Sequence, residues 1–155
     1  MPFTDILAQD HIIDHFKKAI EADHLSHAYI FTGQDGVGKT LFSKELAKAL
    51  NCKNKESDSC NSCPNCIRID SHNHPDVFWI EREEKAKFIK IENIRNLQNS
   101  ARLSPLESDY KIFIIKDADR MNEEASNCLL KTLEEPAPNT IIILIANSMT
   151  PIKDT

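Results

Sequence analysis

The chain has 155 residues, 41% of them hydrophobic, and a formal net charge of −5 at pH 7. This length suits one domain, or one domain with a small insert, and the hydrophobic content is sufficient for a core. A net negative charge excludes a strongly basic nucleic-acid-binding protein. The sequence has no run of about 18 apolar residues and no basic, apolar leader. We therefore expect a cytoplasmic protein without a transmembrane helix.

The first predicted elements are a helix and a short strand. Apolar residues recur at helical spacing between residues 12 and 20, after polar capping residues at positions 4–5. Residues 28–32, Ala-Tyr-Ile-Phe-Thr, form an apolar run that is typical of a buried strand. Histidines are scattered through residues 11–27 without another ligand type beside them, so we interpret them as ordinary helix and loop residues.

Residues 33–40, Gly-Gln-Asp-Gly-Val-Gly-Lys-Thr, fit the P-loop pattern G-x-x-x-x-G-K-[ST] at every fixed position. A strand precedes this segment and residues 41–50 follow as a helix, which is the local structure in which a P-loop binds phosphate. Lys39 is predicted to reach the β- and γ-phosphates of ATP or ADP, and Thr40 to offer its hydroxyl to Mg²⁺. The predicted nucleotide-binding residues here are Gly33, Gly36, Val37, Gly38, Lys39, Thr40 and Leu41.

Four cysteines follow the P-loop helix: Cys52, Cys60, Cys63 and Cys66. The residues between them are polar and cannot build a core, so segment 52–66 needs an external constraint to fold. Four thiolates at this spacing can surround Zn²⁺ and leave no open position for water, which predicts a structural zinc site. An iron–sulfur cluster and a pair of disulfides are the alternatives, and disulfides are rare in cytoplasmic proteins.

The middle of the chain has weaker signals. Residues 67–75 favour a helix that ends before His74-Pro75, and residues 76–80, Asp-Val-Phe-Trp-Ile, favour a strand. The charged residues 81–87 indicate a solvated loop or hairpin. Residues 91–103 carry apolar side chains at roughly helical spacing, which predicts a further helix.

The two most apolar segments are residues 112–115, Ile-Phe-Ile-Ile, and residues 140–146, Thr-Ile-Ile-Ile-Leu-Ile-Ala. Such runs are typical of central strands that are covered on both faces. Residues 122–135 between them predict an amphipathic helix that ends at Pro136. Alternating strands and helices predict an α/β protein with a parallel sheet and helices on both faces. Ligands of such sheets bind beyond the carboxyl ends of the strands, where the P-loop and residues 117–119 are expected to meet.

A P-loop protein that hydrolyses its nucleotide also needs a carboxylate after a neighbouring strand to hold Mg²⁺. Here the strand is followed by Lys116-Asp117-Ala118-Asp119. In the register of the apolar run, Lys116 takes the metal-binding position, where its positive charge opposes Mg²⁺. A shifted register would bring Asp117 to the metal, with Asp119 beside it, so Asp117 and Asp119 are the candidate catalytic residues. The sequence favours nucleotide binding and leaves hydrolysis by this chain undecided.

Four features together resemble the bacterial DNA polymerase III clamp-loader subunits, AAA+ proteins of the gamma/tau and delta-prime families. The features are residues 25–31 (Leu-Ser-His-Ala-Tyr-Ile-Phe), the P-loop, the cysteine segment, and residues 127–136 (Asn-Cys-Leu-Leu-Lys-Thr-Leu-Glu-Glu-Pro). The resemblance extends over nearly the whole chain. It implies a three-layer AAA+ P-loop domain in which a small zinc module, residues 52–66, is inserted after the P-loop helix. It also implies that Ser148 lies in the family's sensor-1 region, beside the nucleotide.

Within this family, the residues that follow the third strand look like those of the delta-prime branch, because the motor subunits keep Asp-Glu there. The resemblance implies a role in DNA replication, in which the DNA polymerase III holoenzyme loads a sliding clamp on primed DNA. It implies gamma/tau and delta subunits as partners. Because the arginine finger, the lid and the collar would follow downstream, we expect residues 1–155 to be the N-terminal AAA+ domain of a longer protein.

Two other functions compete with this interpretation. The first is an ATP-hydrolysing motor subunit of the gamma/tau type, against which Lys116 argues. The second is a zinc-dependent nucleic-acid-binding module with a vestigial P-loop. The net charge and the absence of lysine between Cys60 and Cys66 argue against this second function.

Overall fold

The computed structural model describes residues 10–34, 38–54 and 59–147. The helices are α1 (Asp10–Ala22), α2 (Lys39–Asn51), α3 (Pro64–Asp70), α4 (Ile91–Ala101) and α5 (Glu123–Glu134). The strands are β1 (Ala28–Thr32), β2 (Val77–Ile80), β3 (Lys111–Ile115) and β4 (Thr140–Ala146). A single 3₁₀ turn, Ala118–Arg120, lies between β3 and α5. Within the described residues, no helix has the length and apolar character to cross a bilayer.

The four strands form one parallel sheet in the order β1-β4-β3-β2. Every residue of β3 and β4 is buried, as the apolar character of both segments predicts. Their register pairs Ile112 with Ile141 and Ile114 with Ile143. The predicted parallel α/β sheet is therefore confirmed, with the two most apolar strands at its centre.

Helices cover both faces of the sheet. Because successive side chains of a strand point to opposite faces, Ile112 and Ile114 pack with α1 and α2, whereas Phe113 and Ile115 pack with α4 and α5. Helix α3 packs beside α2 on the first face. The molecule thus has three layers, a parallel sheet between two layers of helices, as the sequence predicts.

The helix after the cysteines differs from the sequence-based expectation. The predicted range was 67–75, but α3 begins at Pro64 and ends at Asp70. Pro64 suits the first turn of a helix because that position needs no N–H donor, and the Cys63 sulfur caps the helix by accepting from the Cys66 N–H at 3.4 Å. His72 then has a left-handed backbone (φ 59°), which ends the helix. The first turn of α3 therefore belongs to the cysteine segment.

A buried ion cluster joins α2 to α3. The Lys48 side chain is fully buried, and its ammonium group donates to both carboxylate oxygens of Asp70 at 3.0 Å and to Glu45 at 3.3 Å. Burial lowers the pKa of Lys48, but the hydrogen bond to Asp70 and the charge of Glu45 outweigh that effect and raise it. The lysine therefore stays charged inside the protein and fixes the two helices together.

A second buried carboxylate holds the loop that leads into β3. Asp76 is fully buried, and its carboxylate accepts the backbone N–H groups of Leu106 at 2.7 Å, Glu107 at 2.8 Å and Ser108 at 2.9 Å. Three donors from consecutive residues converge on one side chain, so this residue defines the path of the loop at the amino edge of the sheet.

Replacing Asp76 by Ala should lower the free energy of unfolding by about 2–4 kcal/mol, because three part-buried N–H groups lose their acceptor. Chemical denaturation of the purified protein measures this change. Glu84→Ala removes a carboxylate from an exposed loop and should change stability by less than about 0.5 kcal/mol. Equal stability of the Asp76 variant and wild type would show that the carboxylate does not hold the loop.

Candidate nucleotide and metal sites

A cleft of about 420 Å³ lies at the carboxyl edge of the sheet, where α2 begins. It brings the start of the P-loop helix together with the residues that follow β3 and β4. Its lining residues are Gly38, Lys39, Thr40, Leu41, Lys116, Asp117, Ile145 and Asn147. Gly38 has a positive φ of 94°, a conformation that other residues rarely adopt, which explains the glycine at this turn. Three predicted residues, Gly36, Val37 and Ser148, lie outside the described part of the chain.

The Lys39 ammonium group lies at the ends of β1 and β4. It donates to the carbonyl oxygen of Gly33, to the carbonyl oxygen of Ala146 at 3.3 Å and to Oδ1 of Asn147 at 2.9 Å. These partners place a positive charge in the cleft at the start of α2, whose N-terminus adds a partial positive charge. A phosphate group entering the cleft would meet both charges.

The residues after β3 form ion pairs with the residues after β2. Lys116 is the first residue beyond the strand, and its Nζ lies 3.7 Å from Oε1 of Glu81. Asp117 has a left-handed backbone (φ 53°), and its carboxylate accepts from Nε of Arg82 at 3.3 Å. Asp119 lies in the 3₁₀ turn and is not among the described residues that line the cleft.

These residues do not fit a Mg²⁺ ion held by carboxylates. Among the described residues that line the cleft, Asp117 is the one carboxylate, and Arg82 already neutralises it. Lys39 and Lys116 also line the cleft, whereas Mg²⁺ requires oxygen ligands of neutral or negative charge. A catalytic role for Asp117 or Asp119 therefore stays a prediction from the sequence.

A second, mostly apolar pocket of about 250 Å³ adjoins the P-loop helix. Side chains from α1, β1 and α2 line it: Ile12, Ile30, Phe31, Thr32 and Phe42, together with Gly38 and Lys39. Ile30 is 40% exposed, which is unusual for an apolar residue of a strand. Sequence analysis missed this pocket, because the helical and strand patterns mark these residues as core and do not indicate where the core opens.

The four cysteines of segment 52–66 converge. The sulfur atoms of Cys52, Cys60, Cys63 and Cys66 all lie within 4.8 Å of one another, and those of Cys52 and Cys63 are 4.0 Å apart. All four are free thiols, so the disulfide alternative is wrong. Tetrahedral coordination at about 2.3 Å places sulfurs roughly 3.8 Å apart, so these donors can hold one metal ion. An iron–sulfur cluster inserts several irons and would hold the sulfurs further apart.

Hydrogen bonds and burial shift the pKa values of Cys60, Cys63 and Cys66 in different directions. The Ser62 hydroxyl, followed by the backbone N–H groups of Ser62 and Cys63, donates to the Cys60 sulfur and lowers the pKa of this thiol to about 5. Burial raises the pKa of Cys63, but backbone hydrogen bonds from Lys53 and Cys66 outweigh it and lower the pKa. Burial raises the pKa of Cys66 far above its ordinary value. Cys60 is therefore a thiolate at neutral pH, whereas Cys66 stays protonated.

The cysteine cluster and the cleft lie at opposite edges of the sheet. Cys52 follows the last residue of α2, and this helix of 13 residues spans about 20 Å from the cleft. Asn65 of α3 donates to the carbonyl oxygen of Asn51 at 2.7 Å, and Asn51 exchanges hydrogen bonds with the backbone of Tyr110. A metal ion held here would stabilise the fold and would not touch a ligand in the cleft.

Solved structures place this architecture in a known class. A DNA polymerase III gamma subunit-related protein from Thermotoga maritima matches with a TM-score of 0.56 over 92% of this chain and 43% of that chain, at 21% identity. RuvB from Thermotoga maritima matches with a TM-score of 0.51 over 94% of this chain and 41% of that chain, at 11% identity. At these identities the matches concern the fold alone. The fold and the P-loop define an AAA+ P-loop protein.

Sequence comparison identifies the family within this class. The family described as DNA polymerase III, delta subunit, matches residues 8–155, and the chain belongs to this family. DNA polymerase III subunit delta' of Bacillus subtilis is 42% identical over 88% of this chain and 41% of its own length. DNA polymerase III subunit gamma/tau of Mycoplasma pneumoniae is 38% identical over 94% of this chain and 21% of its own length. The chain thus spans about two fifths or less of these relatives.

Replacing Cys63 by Ser should abolish metal binding and lower the unfolding temperature, because three remaining sulfurs leave the site incomplete. Native mass spectrometry measures the metal content, and a thermal scan measures stability. Cys128→Ser is the matched control, because this cysteine lies on α5 beside Gln98 and should leave the metal content unchanged. A Cys63 variant that keeps a full equivalent of metal would contradict the assignment.

In metal-free protein, iodoacetamide should modify Cys60 before Cys66 at pH 6.5. Because the pKa of Cys60 is about 5, this residue is mostly thiolate above pH 5 and mostly thiol below it. Burial raises the pKa of Cys66 and keeps that residue protonated. Peptide mass spectrometry after timed alkylation measures both rates between pH 4 and 8. If the alkylation rate of Cys60 fell about tenfold for each pH unit between pH 8 and pH 6, Cys60 would have the pKa of an ordinary thiol, contrary to this prediction.

Proposed function

We propose that this chain is the AAA+ part of a delta-prime-type clamp-loader subunit of DNA polymerase III. In this role it acts in DNA replication, in the cytoplasm, and helps to load a sliding clamp on primed DNA. The match of the delta-subunit family to residues 8–155 carries the proposal. The 42% identity to delta' of Bacillus subtilis supports the delta-prime branch over the gamma/tau branch. The gamma/tau and delta subunits are the proposed partners, and the clamp and primed DNA are reached through the complex.

The proposed ligand of the cleft is a nucleotide, ATP or ADP. Lys39 and the N-terminus of α2 supply positive charge for the phosphates, and the lining includes Thr40, Leu41 and Asn147. The adjoining apolar pocket has the size and character to accept a planar base between Ile12 and Phe42. Gly33 and Gly38 support the turn that begins this site. Gly36, Val37 and Ser148 remain nucleotide-binding candidates on the sequence alone.

The proposed ion of the cysteine cluster is Zn²⁺. Four sulfur donors can fill all four positions of a tetrahedral Zn²⁺ ion, and three of the cysteines, Cys52, Cys63 and Cys66, are buried. Both properties match a structural site for this ion. When bound, the ion supplies cross-links among α2, the following loop and α3 in place of an apolar core. The chain's own contribution is the set of N–H···S hydrogen bonds that Cys60 and Cys63 accept. None of the described residues of this module (52–54 and 59–66) lines the cleft, so its proposed role is structural.

Hydrolysis by this subunit is not part of the proposal. A motor subunit needs a carboxylate that is available to a metal ion, and here Arg82 engages Asp117 and a lysine precedes it. The proposed subunit therefore contributes to clamp loading as a member of the assembly, by its shape and its bound nucleotide.

Reconstitution of the clamp loader tests the proposed role. Full-length protein would be mixed with gamma/tau, delta, the clamp and primed DNA from the same organism, with ATP present. We expect clamp loading to require this subunit and to fall to background without it. Full loading in its absence, or failure of the protein to join the complex on gel filtration, would contradict the proposal.

Replacing Lys39 by Ala should weaken ATP binding by about 10- to 100-fold, because the charge that faces the phosphates is lost. Isothermal titration calorimetry measures the affinity, and far-UV circular dichroism checks the fold. Lys131→Ala removes an exposed lysine from α5 and should leave the affinity unchanged. Equal ATP affinity of the Lys39 variant and wild type would exclude the P-loop as the nucleotide site.

A further inference from the structure

We infer that this chain binds a nucleoside triphosphate without a divalent cation, and that the Lys116 ammonium group contacts the phosphates where other P-loop proteins place the metal. This inference rests on the nucleotide site proposed above and deepens it. The residues that line the cleft do not fit a Mg²⁺ ion held by carboxylates, and a lysine stands where such an ion would bind.

The first observation is the position of Lys116. It follows the fully buried strand β3 directly, and its backbone N–H donates to the carbonyl oxygen of Ile80 at 2.8 Å. This hydrogen bond continues the pairing of β3 with β2 and leaves Lys116 at the carboxyl edge of the sheet. Lys39 and Lys116 line the same cleft, so two lysine side chains border the space that a triphosphate would occupy.

The second observation is that Lys116 is weakly held. Its Nζ lies 3.7 Å from the Glu81 carboxylate, which is too long for a hydrogen bond, and the side chains are 34% and 49% exposed. Exposed ion pairs of this kind contribute little to stability. The lysine can therefore turn from Glu81 to a phosphate at small cost.

The carboxylate nearest to Lys116 in the chain, that of Asp117, already has a cationic partner. Asp117 accepts from Nε of Arg82 at 3.3 Å, and the Arg82 guanidinium also donates to the carbonyl oxygen of Ala86 at 3.0 Å. A divalent cation would have to displace this guanidinium group and then lie close to the Lys116 ammonium group. The Arg82–Asp117 pair is itself part-exposed (32% and 46%), so repulsion between the cation and the two lysines that line the cleft is the larger obstacle.

A triphosphate without metal avoids this conflict. It carries more negative charge than its magnesium complex, and that charge meets two lysines and the N-terminus of α2. Because a bound metal normally supplies part of the catalysis in P-loop proteins, the same arrangement favours retention of the nucleotide over its hydrolysis. The consequence is a subunit whose nucleotide binding does not depend on the concentration of Mg²⁺.

Calorimetric titration of ATP into the full-length protein tests this inference, with one buffer containing Mg²⁺ and the other EDTA. The zinc site is to be checked by mass spectrometry after the EDTA run. We expect a Kd in EDTA that equals the Kd in Mg²⁺ within about twofold, or is lower. Binding that weakens about tenfold or more in EDTA, with zinc retained, would overturn the inference and leave the nucleotide site intact. Absence of ATP binding in both buffers would instead contradict the proposed nucleotide site.

Two substitutions of Lys116 test whether this lysine itself contacts the phosphates, as distinct from the other residues of the cleft. Lys116→Met should weaken ATP binding in EDTA by about 10- to 100-fold, because a charged hydrogen bond to phosphate is lost. Lys116→Asp should show a similar loss in EDTA and recover affinity when Mg²⁺ is added, since it supplies a carboxylate at the metal position. Both variants alter a part-exposed side chain, and thermal unfolding without ligand checks that they fold.

Lys90→Asp is the matched control. This lysine also forms an exposed ion pair, with Glu83 at 2.7 Å, and it is not among the described residues that line the cleft. The control makes the same change of charge as Lys116→Asp, and we expect its ATP affinity to stay at the wild-type value in both buffers. An equal loss in both aspartate variants would show a general charge effect and would overturn a specific contact by Lys116.

Discussion

The packing of helix α2 against the central strands is the constraint on which both ligand sites depend. Leu46 and Ala47 are completely buried against the isoleucines of β3 and β4 that point to this face. The first residue of α2 is Lys39, in the cleft, and the residue after its last is Cys52, in the cysteine cluster. A displacement of this helix along the sheet would therefore change both sites at once. The buried pair of Lys48 and Asp70 opposes such a displacement by joining α2 to α3.

The two edges of the sheet differ in the surroundings of their charged and polar groups. The carboxyl edge leaves ammonium groups in a cleft that an anion can enter, whereas the amino edge buries its polar groups and satisfies them internally. There Asp76 accepts three backbone N–H groups, and the neutral ring of His74 accepts the Asp76 N–H at 3.0 Å. Burial, helped by the charge of Arg68, lowers the pKa of His74, which keeps this ring neutral. The amino edge is thus a rigid base for the module that the cysteines form.

Nucleotide binding and nucleotide hydrolysis have separate requirements, and the proposed function of this chain includes the first without the second. Binding needs a positive charge at the start of α2, which Lys39 supplies next to the left-handed backbone of Gly38. Hydrolysis needs a carboxylate that can hold a metal, and here Asp117 is paired with Arg82. Membership in the DNA polymerase III delta-subunit family is compatible with this division, because one subunit of an assembly can bind nucleotide while others hydrolyse it.

Local patterns in the sequence determined the parallel α/β fold, the P-loop and the set of four cysteines. These features depend on short-range rules: apolar runs make buried strands, glycines allow tight turns, and cysteine spacing limits metal geometry. Only the tertiary structure decided that α3 begins at Pro64, that Ile12 and Ile30 border an apolar pocket, and that Arg82 reaches Asp117 across 35 positions. Contacts of this kind join residues far apart in the chain, and their partners are chosen by strand order and register. The periodicity of the sequence carries no information about that choice.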